Sequence, residues 1–375
     1  MEDTSSINSK SVSREMTSLQ NFQDVIQKKI VRFCSDNGQE NILQPVNYIL
    51  GLGGKRVRPL LTLLAADLFS DEIEDAIYPA LAIEVFHNFT LMHDDIMDNA
   101  PLRRGNATVH EKWNRDVAIL SGDAMLIQAY QLMIRTRPDC IEQVMQTFNT
   151  TALEVCQGQQ LDMDFQERNN VTIEEYIAMI CLKTSVLLGG AMKIGAIVAG
   201  ASKEDQQCLY DFAISLGLSF QLWDDYLDTF GDGNKTGKQV GGDILANKKT
   251  FLMIRAMELA NEEQLELLQK DFTTTKKVEL VTQLFKDLQL EEALKTLVDD
   301  YYTKALQCLH NISIAPERKE KIVMLAESLH RREFWELFTA QSFKMTGCNF
   351  SIWTGEDVEI NTIRIVLCPP IILVV

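Results

Sequence analysis

The sequence predicts an all-α fold, and three observations carry that prediction. Apolar side chains recur at spacings of three and four along most of the chain, the period of a helix that buries one face. Proline, which interrupts helices, occurs eight times in 375 residues. Alternating runs of the kind a half-buried strand needs are hard to find before residue 350.

Taken in order, residues 1–21 are polar and Ser/Thr-rich and read as a flexible arm. They lack the apolar stretch of a secretory signal. Residues 19–34 place Phe22, Val25, Ile26, Ile30 and Phe33 on one helical face. Pro59 suits the first turn of a further helix. Residues 75–98, 117–134, 140–166, 172–200 and 204–230 are long apolar-rich helical runs. More charged ones follow at 248–260, 262–271, 276–287, 290–311 and 315–338. Asn99–Ala107 and the glycine-rich Gly231–Gly242 read as loops. The tail 339–375 reads as an atypical extension, and its apolar end, residues 365–375, is too short to span a bilayer.

Composition narrows the function. A content of 46% hydrophobic and 24% charged residues excludes global disorder. The net charge of −17 excludes a nucleic-acid coat and opposes adsorption on anionic lipid. At face value it also opposes an anionic substrate. The eight cysteines form no CxxC pair and read as buried thiols in a reducing compartment.

One short pattern recurs. His-Asp-Asp-Ile-Met-Asp carries Asp94, Asp95 and Asp98, and Trp-Asp-Asp-Tyr-Leu-Asp carries Asp224, Asp225 and Asp228. At about 100° per residue each trio crowds one helix face. Like charges there repel, and at the end of a helical run they oppose the helix dipole. A solvated acidic helix end explains one copy; two copies, each closing an apolar run, point to hard cations. Mg²⁺ takes oxygen ligands and is held by one or two carboxylates plus substrate phosphates.

The cations are ordered around these clusters. Gly53-Gly54-Lys55-Arg56-Val57-Arg58-Pro59 is a basic turn opening a helix, a setting that suits phosphate oxygens. Arg103-Arg104 follows the first cluster; Lys183-Thr184, Lys238 and Lys248-Lys249-Thr250 come later. Any one of them alone reads as a surface cation. His87 lies nearly two turns before Asp94, and Gln221 one turn before Asp224.

In this order the motifs resemble the trans-isoprenyl diphosphate synthases, the farnesyl and geranylgeranyl diphosphate synthase family, over roughly residues 22–335. The resemblance implies an isoprenoid synthase fold of about ten core helices around a deep central cavity, usually as a homodimer, with 22–338 as the catalytic domain. It implies head-to-tail condensation of isopentenyl diphosphate with a dimethylallyl, geranyl or farnesyl diphosphate. Asp94, Asp95, Asp98, Asp224, Asp225 and Asp228 would hold several Mg²⁺ on the allylic diphosphate. Arg103, Lys183, Lys238 and Lys248 would contact that diphosphate, with Thr184 and Gln221 nearby. Lys55, Arg58, His87 and Arg104 would cradle isopentenyl diphosphate. Phe89 and Thr90, just before the first cluster, would limit product length to C20 or C15. Two rivals stand beside this: a terpene synthase on the same fold, and a non-catalytic subunit of a heteromeric synthase. A cytoplasmic enzyme is the default, an organellar one the alternative.

Overall fold

The computed structural model describes residues 4–38, 40–231, 240–270, 273–330, 365–368 and 371–374. The chain divides into two compact units, 1–334 and 335–375.

In the first unit the helices α1 (Thr4–Asp36), α2 (Gln44–Gly51), α3 (Val57–Phe69) and α4 (Glu74–Met97) come first. The segment read as a loose arm is therefore helical from Thr4 and continuous with the amphipathic run that buries Phe22, Ile26 and Ile30. The loop after α4 holds a two-residue hairpin, β1 (Leu102–Arg103) and β2 (Asn106–Ala107). Then follow α5 (Val109–Lys112), α6 (Arg115–Met133) and α7 (Ile141–Glu167).

The apolar run read as one helix over 172–200 is two, α8 (Ile173–Ile180) and α9 (Val186–Val198), joined by a π-helical turn at Cys181–Ser185. Next come α10 (Lys203–Phe230), α11 (Gly242–Leu245), α12 (Phe251–Leu259), α13 (Glu262–Gln269), α14 (Thr274–Asp287), α15 (Leu290–His310) and α16 (Pro316–His330).

Local chemistry sets several starts. Asn114 caps α6 and Ser202 caps α10, each side chain accepting from a first-turn amide. Thr172 with Glu175, and Asn261 with Gln264, form capping boxes.

The core lies along α4, which packs on α3 and α6, and along α10, which packs on α9 and α15. Leu60, Ile83, Phe86, Phe148, Phe212 and Phe285 are fully buried there. Small residues allow close approach: a Cβ at Gly195 of α9 would stand 2.1 Å from the Thr62 carbonyl of α3. Ile173–Val198 is long and apolar enough to cross a membrane by composition, but its most apolar stretch is 61% buried inside the fold. In the second unit, Ile365–Cys368 (β3) and Ile371–Val374 (β4) pair as an antiparallel hairpin.

Candidate active site

The two aspartate clusters sit at the C-terminal ends of α4 and α10. Six carboxylates at two negative helix ends require compensation, and the structure shows where it comes from.

In the first cluster, Asp95 is 2% exposed and accepts two 2.7 Å bonds from the Arg103 guanidinium. The bidentate pair aims Arg103 along the cluster, with Nη2 3.8 Å from Asp94 Oδ2. Lys183 reaches Asp94 Oδ1 at 3.2 Å and Asp162 Oδ2 at 2.6 Å, bridging α4 and α7. Burial works against the Lys183 charge, but Asp94 and Asp162 outweigh it and raise its pKa. Asp98, the C-cap of α4, has no such ion pair among the described residues; burial and then Asp94 push its carboxyl above the usual range.

Lys183 owes its position to the π-helical turn, the kind of irregularity that re-aims a side chain within a helix. Glycines pack on both sides of it. A Cβ at Gly158 of α7 would stand 2.2 Å from the Lys183 amide nitrogen, and one at Gly217 of α10 would stand 2.7 Å from Ser185 Oγ. Thr184 occupies the same turn, half-buried.

In the second cluster, Asp225 is 4% exposed and accepts from the Tyr176 hydroxyl and, at 3.4 Å, from Gln221 Nε2. Burial, then Asp243, push its pKa up to about 7. Asp228 accepts from the Asp243 amide at 2.9 Å and ties α11 to the end of α10. Lys248 lies 3.7 Å from Asp243. Burial opposes its charge, while Asp243, Asp162, Asp225 and Asp98 together raise its pKa. One ammonium therefore stands within electrostatic reach of both clusters.

The donor set fits Mg²⁺: hard carboxylate oxygens, among them Asp225, whose pKa burial and Asp243 push up. Among the described residues no three His, Cys, Asp or Glu side chains lie close enough to hold a metal by themselves. Substrate phosphates must complete any coordination shell.

A second anion site lies two turns back along α4. Arg58 Nη1 is 3.1 Å from His87 Nε2. Arg104 donates to the Gly53 carbonyl, its guanidinium lying where a Cβ of Gly54 would be, 2.7 Å from Cζ. Burial, then Arg58, Arg104, Arg103 and Arg56, hold His87 well below its ordinary pKa. Burial also lowers Arg58 to about 10, with Glu84 supporting its charge and Arg104 opposing it. So many cations around a neutral imidazole make a site awaiting an anion. Lys55, in the same turn, is half-buried.

Phe89 is 9% exposed and packs on Phe86 and His93. The Thr90 hydroxyl donates back to the His87 carbonyl. Lys238 lies outside the described residues. The sequence reading missed Asp162, Tyr176, Asp243, and the buried Arg56–Glu84 pair. Asp162, Tyr176 and Glu84 are lone polar residues within helical runs, whereas Arg56 and Asp243 lie inside Gly-Gly motifs whose pattern does not say what each residue contacts.

A cluster of cations around His87 and a cluster of carboxylates further along the same helix, α4, in an all-α bundle define a class of protein that handles phosphorylated ligands through hard cations. The polyprenyl synthetase family model matches residues 39–288, and the chain belongs to that family. A short chain isoprenyl diphosphate synthase of Methanothermobacter thermautotrophicus is 34% identical, over 85% of this chain and 98% of its own. A geranylfarnesyl diphosphate synthase of Natronomonas pharaonis is 32% identical, over 79% and 91%. A crystal structure of a geranylgeranyl pyrophosphate synthase superposes with a TM-score of 0.78 at 43% identity, covering 84% of this chain and 98% of that one.

Proposed function

We propose that the protein is a short-chain trans-prenyltransferase that joins isopentenyl diphosphate head-to-tail to an allylic diphosphate. The observation that carries this reading is the pair of anion sites on α4, about 10 Å apart at 1.5 Å per residue between His87 and Asp94. A terpene synthase ionises one diphosphate and has no use for the second site, and a non-catalytic subunit has no use for two intact carboxylate clusters.

Asp94, Asp98, Asp224, Asp225 and Asp228 would hold Mg²⁺, with Asp95 shared between the metal and Arg103. When bound, the ions neutralise the charge that builds on a departing pyrophosphate. Arg103, Lys183 and Lys248 would face the same leaving group and add preorganised positive charge, and Lys238 would join them by its place in the sequence motif. Gln221 and Tyr176 fix the Asp225 carboxylate. The allylic C–O bond breaks, and the isopentenyl alkene attacks the resulting cation. A proton then leaves to the pyrophosphate as the new double bond forms. Lys55, Arg58, His87 and Arg104 grip the isopentenyl diphosphate and so orient the alkene.

Phe89 and Thr90, one turn before Asp94 on α4, would limit the growing chain as the family resemblance implies, which supports a C20 product, with C15 the alternative. The relatives include a geranylfarnesyl enzyme, so the length must be measured. Leu120 and Ile127 of α6 and Leu153 of α7 are each at least 57% exposed, an apolar face that supports pairing with a second copy. A cytoplasmic site is part of the same reading.

Purified protein incubated with Mg²⁺, isopentenyl diphosphate and dimethylallyl, geranyl or farnesyl diphosphate should yield a longer prenyl diphosphate. Hydrocarbon or alcohol products without isopentenyl incorporation would overturn the reading.

A further inference from the structure

Between the two glycines of the basic turn and the first residue of α3 stands Arg56, with φ 50° and ψ 36°. A non-glycine residue in this left-handed region carries strain of about 1–2 kcal/mol. No side chain caps the helix there. The Arg56 side chain is 5% exposed and points inward. Nη1 donates to Glu84 Oε1 of α4 at 2.5 Å, and Nη2 to the Leu50 carbonyl at the end of α2 at 2.5 Å. Glu84 is 2% exposed. Asn88 Nδ2 donates to the same Glu84 oxygen at 2.9 Å and to the Glu84 carbonyl at 2.8 Å. One guanidinium thus ties together α2, the turn and α4.

The Arg56 charge is matched by a buried carboxylate, and both of its terminal nitrogens are committed to Glu84 and the Leu50 carbonyl. A buried ion pair of this kind rarely exceeds an apolar replacement in stability, so stability does not explain it. Its place in the sequence does. Lys55 precedes it by one residue and Arg58 follows by two. Glu84 and Asn88 flank His87 on α4, and His87 meets Arg58. Glu84 is also the acidic group that supports the charge of both Arg58 and Arg104.

We propose that Arg56 and Glu84 are positioning residues. They lock the strained turn onto α4, fix the spacing of Lys55, Arg58 and His87, and so set the affinity for the diphosphate bound there. On the reading above, that ligand is isopentenyl diphosphate. Displacement of such a grip by an ångström costs up to about a hundredfold in rate or affinity.

The test is steady-state kinetics of Arg56→Met, Arg56→Lys and the double variant Arg56→Met/Glu84→Met, with thermal melts of each. The single Arg56→Met leaves an unpaired buried carboxylate and lowers the melting temperature. The double variant removes both charges and melts near wild type. The proposal expects KM for isopentenyl diphosphate to rise about tenfold or more in the double variant. KM for the allylic diphosphate should stay within about twofold, and Arg56→Lys should recover part of the loss. A stable double variant with wild-type KM for isopentenyl diphosphate would overturn it, as would equal rises in both KM values. If wild-type protein fails to condense the two substrates, the proposed function falls instead; inorganic pyrophosphate binding to the same variants, followed by calorimetry, then reads the grip directly, and unchanged affinity rejects it.

Discussion

Replacing Phe89 by alanine tests its proposed role as the wall that limits product length. The ring lies 5.5 Å from that of Phe86 and 4.8 Å from that of His93. Neither neighbour is free to fill the gap. Phe86 is held by Phe148 at 5.3 Å, which is held in turn by Tyr130 of α6 at 5.1 Å. His93 packs on Gly122, where a Cβ would stand 2.2 Å from Nε2. A site that cannot collapse puts Phe→Ala no lower than the middle of its usual range, about 4 kcal/mol. For a chain of this size that lowers the melting temperature by about 5 °C. Burying one more isoprene unit recovers about 4 kcal/mol, at about 0.8 kcal/mol per carbon. The void should therefore fill with product. Chromatography of dephosphorylated products should show a shift of at least one C5 unit. A lowered melting temperature with an unchanged product distribution would show that Phe89 is core filling and that the wall lies elsewhere.

Gly158→Ala should push α7 off the π-helical turn, since backbone rather than a flexible side chain stands in the way. Overpacking of this kind costs about 1–3 kcal/mol. Turnover should drop by about tenfold or more as Lys183 loses its 3.2 Å approach to Asp94; wild-type kinetics would show the turn is free to move. His87 supplies a pH signature. Its folded-state pKa is depressed by burial and four arginines, so the unfolded chain binds the extra proton. The contribution is present above about pH 6.5 and is lost as pH falls below it. Urea melts of His87→Gln should lack that share of the acid destabilisation, and a parallel loss in variant and wild type would refute the assignment.

Much of this molecule is legible in its sequence because local physics governs it. Helix periods placed α4, α6, α7 and α10 within two residues of their observed ends, and the doubled Asp pattern marked the carboxylate-bearing ends of α4 and α10 without any knowledge of packing. The run at 172–200 was read as one helix because a π-helical turn leaves no mark in hydrophobic periodicity. The arm before residue 22 was read as loose because its polarity hides a helix that continues into α1.

What only the tertiary structure decided is how each charge is matched. Pattern alone gave Asp94, Asp95 and Asp98 equal standing. The fold commits Asp95 to Arg103, bridges Asp94 to Asp162 through Lys183, and leaves Asp98 to titrate high. It also commits Arg56 to Glu84 and the Leu50 carbonyl, although Arg56 sits between Lys55 and Arg58 in one basic motif. A Coulomb interaction depends on distance and burial, and those are set by residues far apart in the chain. The sequence by itself determined which charges are present and on which helices; only packing determined which of them remain to meet a diphosphate.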